Sequence, residues 1–458
     1  MDVSIPLFGV YLFVMVLASV VRPHWLMGAW AITVFLFPTT RTLVGPAPIY
    51  WFDLATVAVL SVLFYKRRFQ WPPGMPQWHW WLVGYAALFG LVWPAVRYAP
   101  SAELVYVWLH TSLAWMAFPI GVLVAFSPYG ERYRSSLAGG LLVALVGLAV
   151  LAVVQKGDPQ GALAVNQIYR GDMGGLWTES TYGGMRYSAR PNGPYGAATS
   201  FAGVACIVAL EIALLRGLES KIWGWSGVAL ASVVTLLTLT RHVLVAAAVG
   251  VVVVVLTSSA RQSLKALVLG SVVTSVFVAV GLGMGWQDRF DRTSGGVLTD
   301  LSITARVVEG PLRLAALIAA EPLVVVTGVG LDVQKIASTG VDVGIADSGF
   351  VSNGFVLPLY YLGIGGFVLT VGFWIWVYRT AGWSKSSRSG VLRGLVVAAT
   401  VLVASDNYSF LDESAVAGLF LFAGCLVGQE YRRQSVRTHL SLQPRPSLSS
   451  PARRLATT

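Results

Sequence analysis

Apolar residues in this chain fall into runs of about 15–25 residues, separated by short polar or Gly- and Pro-bearing connections, and the runs recur almost to the end. A run of that length, apolar all round, fits a helix crossing a hydrocarbon layer of ~30 Å. The runs lie at 4–21, 24–38, 50–65, 79–97, 103–126, 136–154, 197–215, 222–240, 242–257, 264–284, 351–377, 389–405 and 413–428. That makes thirteen. The second, ninth and thirteenth are short for such a layer, so twelve is an equally admissible count. The pattern predicts an all-α fold, a polytopic membrane helix bundle of 12–13 spans. The first run lacks a basic front and a clear small-residue cleavage site, so it is expected to stay as a helix rather than be removed as a signal peptide.

Composition points the same way. Length alone, 458 residues, would suit several soluble domains, but 56% of the residues are hydrophobic and 12% charged. The mean hydropathy is +0.69. Soluble proteins carry roughly 25% charged residues, and a water-soluble fold cannot hide this much apolar surface. Cys206 and Cys425 both fall inside apolar runs, so neither a disulfide framework nor a metal cluster is expected.

The net charge of +11 invites a nucleic-acid reading, which its placement removes. Counted back from the carboxyl end, alternate connections hold Arg22; Lys66 to Arg68; Arg132 and Arg134; Arg216 and Lys221; Arg261 and Lys265; Arg379, Lys385, Arg388 and Arg393; and six arginines after 429. These are 20 of the 32 basic residues, accompanied by Glu131, Glu219 and Glu430. Basic residues mark cytoplasmic connections. The set is therefore expected inside, with the amino terminus outside if thirteen spans hold. The chain divides into a membrane domain over 1–428 and a basic tail over 429–458, rich in Arg, Ser and Pro and expected to be disordered.

Two connections on the other side are long, 155–196 and 285–350, and loops of that length commonly carry sites. The cytoplasmic connections are too short for a nucleotide-binding domain, and no Gly-rich phosphate loop occurs. His24, His79, His110, His242 and His439 are scattered without metal-ligand spacing, and Asp288 and Asp291 are a weak metal signal. A metal-independent site with no cofactor is expected.

Arginine is the residue that stands out. The first long connection has Arg170, Arg186 and Arg190; the second has Arg289, Arg292, Arg306 and Arg313; Arg241 sits between two runs with apolar neighbours. Guanidinium groups stay charged and match phosphate oxygens two at a time. A cluster beside the bilayer suits a lipid diphosphate, and fixed arginines would stabilise the charge that a departing diphosphate gains. Pairing with nearby acids such as Asp172, Glu179, Asp288 and Glu309 is the plainer alternative for the loop arginines. Over 303–319, Arg306, Glu309 and Arg313 share one helical face, which predicts an amphipathic surface helix, with Gly310-Pro311 splitting it and Pro311 starting the second piece. Within the runs ionisable residues are few: Asp53, near an outer end and expected simply to reach water, and Glu211, near an inner end.

Three stretches resemble the O-antigen ligase and polysaccharide (O-antigen) polymerase superfamily. Arg190-Pro-Asn-Gly193-Pro-Tyr195 is similar to that family's Arg-x-x-Gly-x-Phe segment, with Tyr195 in the aromatic place. Thr240-Arg241 opens the ninth run after Leu-Thr-Leu, as a Ser-Arg does in the family. The third stretch, 303–366, has Arg306, Pro322, Gly328-Val-Gly330, Asn353 and Gly363-Ile-Gly365 in order. The chain departs from the ligases in having Ser352-Asn353 where they carry His-Asn, and Ala197 and Ala198 where Pro-Asn follows the first motif.

The resemblance implies a bacterial inner-membrane glycosyltransferase whose active site faces outward. Its donor would be an undecaprenyl-diphosphate-linked glycan and its acceptor a second glycan or a lipid, within the bilayer and alongside other polysaccharide-assembly proteins. Transfer or polymerisation would serve O-antigen or exopolysaccharide synthesis; the departures favour polymerisation or a divergent branch. Arg190, Arg241 and Arg306 would hold the diphosphate, with Asp347 and Glu309 as candidate bases. Arg186, Tyr195, Arg313 and Asn353 would complete substrate binding. The rival expectations are a polysaccharide or lipid-linked oligosaccharide transporter or flippase without chemistry, and a structural assembly factor.

Overall fold

In the computed structural model, residues 5–38, 40–44, 47–65, 70–98, 102–127, 130–158, 191, 193–195, 198–217, 220–282, 310–330, 356–383, 388–405 and 413–442 are described. Each of the thirteen apolar runs carries a helix. In order these are α1 (Ile5–Val21), α2 (Trp25–Leu36), α3 (Trp51–Tyr65), α4 (Trp78–Ala87) continuing through a π-helical turn into α5 (Trp93–Tyr98), α6 (Ala102–Trp115), α7 (Ala117–Phe126) and α8 (Glu131–Gly157). There follow α9 (Ala198–Ile212), α10 (Lys221–Thr238), α11 (Arg241–Thr257) and α12 (Ala260–Leu282). Two short helices, α13 (Gly310–Ala320) and α14 (Val324–Thr327), precede α15 (Leu357–Ala381), α16 (Arg388–Ser405) and α17 (Glu413–Leu442). A single hairpin, β1 (Arg41–Val44) with β2 (Ala47–Tyr50), pairing Arg41 with Tyr50, is the only sheet among the described residues.

The chain is thus an all-α bundle in which six helical segments are long and apolar enough to cross a membrane. They are Leu109–Phe126, Glu131–Gly157, Thr199–Arg216, Lys221–Thr238, Leu357–Ala381 and Ser414–Val436. Several other runs give shorter apolar helices. The 12 residues of α2 rise only about 18 Å, because Pro38 follows and the chain turns into the hairpin.

Direction of travel agrees with a chain that crosses back and forth. Helices α2 and α8 run parallel, Gly28 meeting Ser136 and Gly140 while Leu36 meets Gly147. Helices α7 and α17 are also parallel, whereas α11 and α16 are antiparallel, Gly250 meeting Gly394 and Ser258 meeting Gly390.

Without a hydrophobic force between helices in lipid, association depends on close backbone approach through small residues. The α7–α17 contact shows this. A Cβ on Gly121 would stand 2.7 Å from the Leu421 carbonyl oxygen, and one on Gly428 2.7 Å from that of Val122. The core is built around these pairs, with Trp30, Phe35, Phe118, Phe201, Phe373 and Phe422 fully buried. Large apolar side chains such as Phe13, Val20, Trp81 and Leu256 cover the outside, as lipid-facing surfaces do.

Two expectations change. The last helix does not stop near 428; it continues to Leu442. The reason is local: Arg433 pairs with the buried Glu430 one turn earlier, Tyr431 is buried, and no proline intervenes before Pro444. Residues 443–458 lie outside the described residues. Asp53, expected simply to reach water, instead pairs with His110.

The two sets of connections gather at opposite ends. At one end, His24 meets Tyr133, Arg216 meets Glu131, Arg388 meets Gln429 and Trp383 meets Tyr431. At the other, Tyr195 reaches Phe35, Ser414 reaches Val34 and Arg97 pairs with Glu321.

Candidate functional site

Arg241 is the expected site residue whose surroundings are best defined. Helix α10 ends at Thr238, and the next residue, Leu239, takes φ 53° and ψ 44°. Leu239 donates its N–H to Leu236, and Thr240 donates to Thr235, a tight C-terminal turn that reverses the chain. That conformation costs a non-glycine residue roughly 1–2 kcal/mol. Leu239 is the only described non-glycine residue with positive φ. It is held there because its side chain is buried against Phe277, with Leu236 and Leu244 around it.

The turn delivers Arg241 as the first residue of α11. The preceding Thr240 hydroxyl is 2.9 Å from the Thr238 hydroxyl and makes no cap bond to α11. The first-turn N–H groups of a helix carry partial positive charge. Placing a guanidinium there adds positive charge to a positive helix end, which an anion would relieve.

Tyr195 lies in a short 3-10 turn, Gly193–Tyr195, that is buried throughout. Gly193 has φ 53°, and its N–H donates to Gln155 Oε1 at 2.9 Å. The Tyr195 hydroxyl donates to the Phe35 carbonyl. Ser414 Oγ donates to the neighbouring Val34 carbonyl at 2.7 Å. Both carbonyls belong to the last turn of α2, where helical partners run out. Tyr195 is therefore a tether between the 193–195 turn and α2, its ring 3% exposed.

Arg313 is exposed on α13, flanking the buried Leu314 and Leu317. The rest of the expected polar face, Arg306 and Glu309, lies outside the described residues, and α13 also exposes Leu312. Glu321, just beyond its end, forms an ion pair with Arg97 of α5, pinning α13 to the bundle.

Beside α13, the Gly328-Val329-Gly330 stretch docks on a break in α15. Gly363 inside that helix has φ 71° and ψ −170°. The unwound turn leaves carbonyls that accept bonds from outside: Val329 N–H donates to Tyr360 at 2.9 Å and Gly330 N–H to Tyr361 at 3.0 Å. A side chain on Gly363 would overlap the Val326 backbone. Main-chain bonds thus join the 328–330 stretch to α15.

One pair escaped the sequence reading. His110 Nδ1 lies 2.7 Å from Asp53 Oδ1, with Tyr50 stacked on the imidazole at 4.4 Å. The three residues come from β2, α3 and α6, and no local spacing announces them. An imidazole oriented by a carboxylate is an arrangement used for proton transfer.

Arg186, Arg190, Arg306, Glu309, Asp347 and Asn353 lie outside the described residues. Among the described residues no cluster of three or more His, Cys, Asp or Glu could hold a metal ion. No family model and no curated protein matches the chain.

Proposed function

We propose that the protein is a membrane glycosyltransferase of the O-antigen polymerase or ligase kind, acting on a lipid-diphosphate-linked saccharide at the end of the bundle that carries Arg241. An acceptor hydroxyl attacks the anomeric carbon of the donor sugar. The bond to the diphosphate oxygen breaks, and undecaprenyl diphosphate leaves with the electron pair. Arg190, Arg241 and Arg306 neutralise it, and Arg313 with Arg186 and Asn353 orients the saccharide. The acceptor proton passes to a carboxylate, Asp347 or Glu309, or to the imidazole of the Asp53–His110 pair. The bacterial inner membrane is the corresponding location, with the arginine-rich end of the bundle cytoplasmic.

The observation that carries this reading is the Leu239–Arg241 turn. Backbone strain is kept where it places one guanidinium at the start of a helix whose N-cap hydroxyl is turned away. Strain of this sort concentrates at functional positions, which supports reading the turn as part of an anion site. The test is incubation of the purified chain with a lipid-diphosphate oligosaccharide, followed by gel or mass analysis of the glycan. Longer chains or a new conjugate are expected from wild type, a strong decrease from Arg241→Ala, and partial retention from Arg241→Lys. Unchanged transfer by Arg241→Ala, or no transfer by wild type, rejects the proposal.

One observation favours a transporter instead. Glu211 is 1% exposed, and neither carboxylate oxygen has a hydrogen-bond partner. Ionisable groups held inside membrane helices often serve ion coupling. If Glu211→Gln abolishes movement of lipid-linked saccharide across vesicles while no glycosidic bond forms in any variant, the transporter reading replaces the enzyme.

A further inference from the structure

At the end of the bundle away from Arg241, the ends of α7 and α9 and the start of α8 meet the last turns of α17 around a cavity of ≈ 460 Å³. Its polar lining is Glu131, Arg134, Gln429, Arg432 and Arg433. Leu215 and Val436 supply an apolar wall, and Val436 is 53% exposed at the surface. The volume lies within the range of small-ligand sites.

The lining is rich in arginine. Three arginines and one glutamate line the space. Around them Arg216 joins Glu131 at 3.0 Å, Glu430 joins Arg433 and Arg388 donates to Gln429. Glu131 alone lies within electrostatic range of Arg134, Arg216 and Arg432. Arg134 is buried and built in: one of its nitrogens donates to the Ala125 carbonyl at 3.2 Å and another to Glu131. A guanidinium has five N–H donors, so these bonds do not exhaust it. Converging arginines around a half-polar, half-apolar hollow at a helix-bundle end are the chemistry that receives a phosphate group.

We propose that this cavity is a binding site for a phosphate-bearing anion, the headgroup phosphate of an anionic lipid or a soluble phosphate. The site is independent of the glycosyl-transfer reading, because its residues lie at the opposite end of the helices from Arg241. Occupancy would join α7, α8, α9 and α17 through one anion, and it would raise the stability of the whole bundle by mass action.

The test uses the full chain purified in a neutral detergent. In the first arm it is titrated with phosphatidylglycerol or, for comparison, phosphatidylcholine, with retained lipid counted by native mass spectrometry and Tm recorded. In the second arm inorganic phosphate is added to the lipid-free protein. Phosphatidylglycerol is expected to be retained and to raise Tm where phosphatidylcholine does not. Arg432→Gln should weaken retention about tenfold, the effect of losing one charged hydrogen bond. Arg432→Lys should hold more lipid than Arg432→Gln. Val436→Trp, which fills the hollow without changing charge, should reduce retention even if Arg432→Gln folds poorly. Arg22→Gln, an exposed basic residue at the same end but outside the cavity, should behave as wild type. Stabilisation by inorganic phosphate alone would support the site and assign it a soluble ligand. No stabilisation by either compound, or equal losses in Arg22→Gln and Arg432→Gln, overturns the proposal.

Discussion

His110 Nδ1 and Asp53 Oδ1 stand 2.7 Å apart although 57 residues separate them in the chain. Their side chains are 6% and 15% exposed, so the pair ties α6 to α3 in a setting largely closed to water. Losing one partner of a buried charged hydrogen bond costs the other its compensation, ~1–3 kcal/mol. Asp53→Asn and His110→Asn should each lower the thermal midpoint of the purified protein, and the double variant should lose less than the sum. Additive losses would show that the two side chains do not interact.

Leu239 opposes two effects. Its buried side chain contributes roughly 1.5–3 kcal/mol, while its left-handed backbone costs roughly 1–2 kcal/mol. Leu239→Gly should therefore destabilise by less than about 2 kcal/mol, since the relieved backbone offsets part of the lost burial. Leu239→Val keeps more apolar surface but adds a β-branched side chain where φ is positive, and it should cost more than Leu239→Gly. Denaturant unfolding of both variants checks the order; the reverse order would mean that packing, not conformation, sets this turn.

Gly363 allows the break in α15. Gly363→Ala would need both a left-handed backbone and space already taken by the Val326 backbone. We expect a loss of at least 2–3 kcal/mol, from combined overpacking and strain of that order. Gly139→Ala, a glycine in α8 whose Cβ would meet nothing within 4 Å, should be stabilising or neutral. A melt comparison that finds the two variants equal would contradict the docking of 328–330 on the broken helix.

His24 precedes α2 at the arginine-rich end. Partial burial holds its pKa below the ordinary histidine value, and the Arg132 and Arg22 guanidinium groups depress it further. The unfolded chain thus binds a proton more readily than the folded one as pH falls through ~6.5. Stability tied to neutral His24 is present above that pH and is lost progressively below it. The Tm difference between pH 7.5 and pH 5.5 should be smaller in His24→Gln than in wild type; an identical pH profile would exclude the effect.

The helices were legible because a helix in lipid must satisfy its own backbone and face apolar surroundings over its whole length, so length and hydropathy alone mark it. That argument located the helices, six of which are long and apolar enough to cross a membrane. It placed the end of the last helix too early, because a cluster of arginines resembles a disordered tail until Glu430 and Tyr431 are seen to be buried.

The candidate site was legible only in part. Thr240-Arg241 could be found as an arginine among apolar neighbours, but not the left-handed Leu239 that aims it, since leucine carries no preference for that conformation. Tyr195 could be found as an aromatic after Arg190, but its burial and its bond to the Phe35 carbonyl depend on where α2 ends. From the sequence alone come the all-α class, the helix positions and the division of basic residues between alternate connections, each a local property of residue type and spacing. The Asp53–His110 pair, the break at Gly363 with 328–330 docked on it, and the arginine-lined cavity exist only in three dimensions. They join residues from distant helices, and contacts of that kind arise only once packing has brought those helices together.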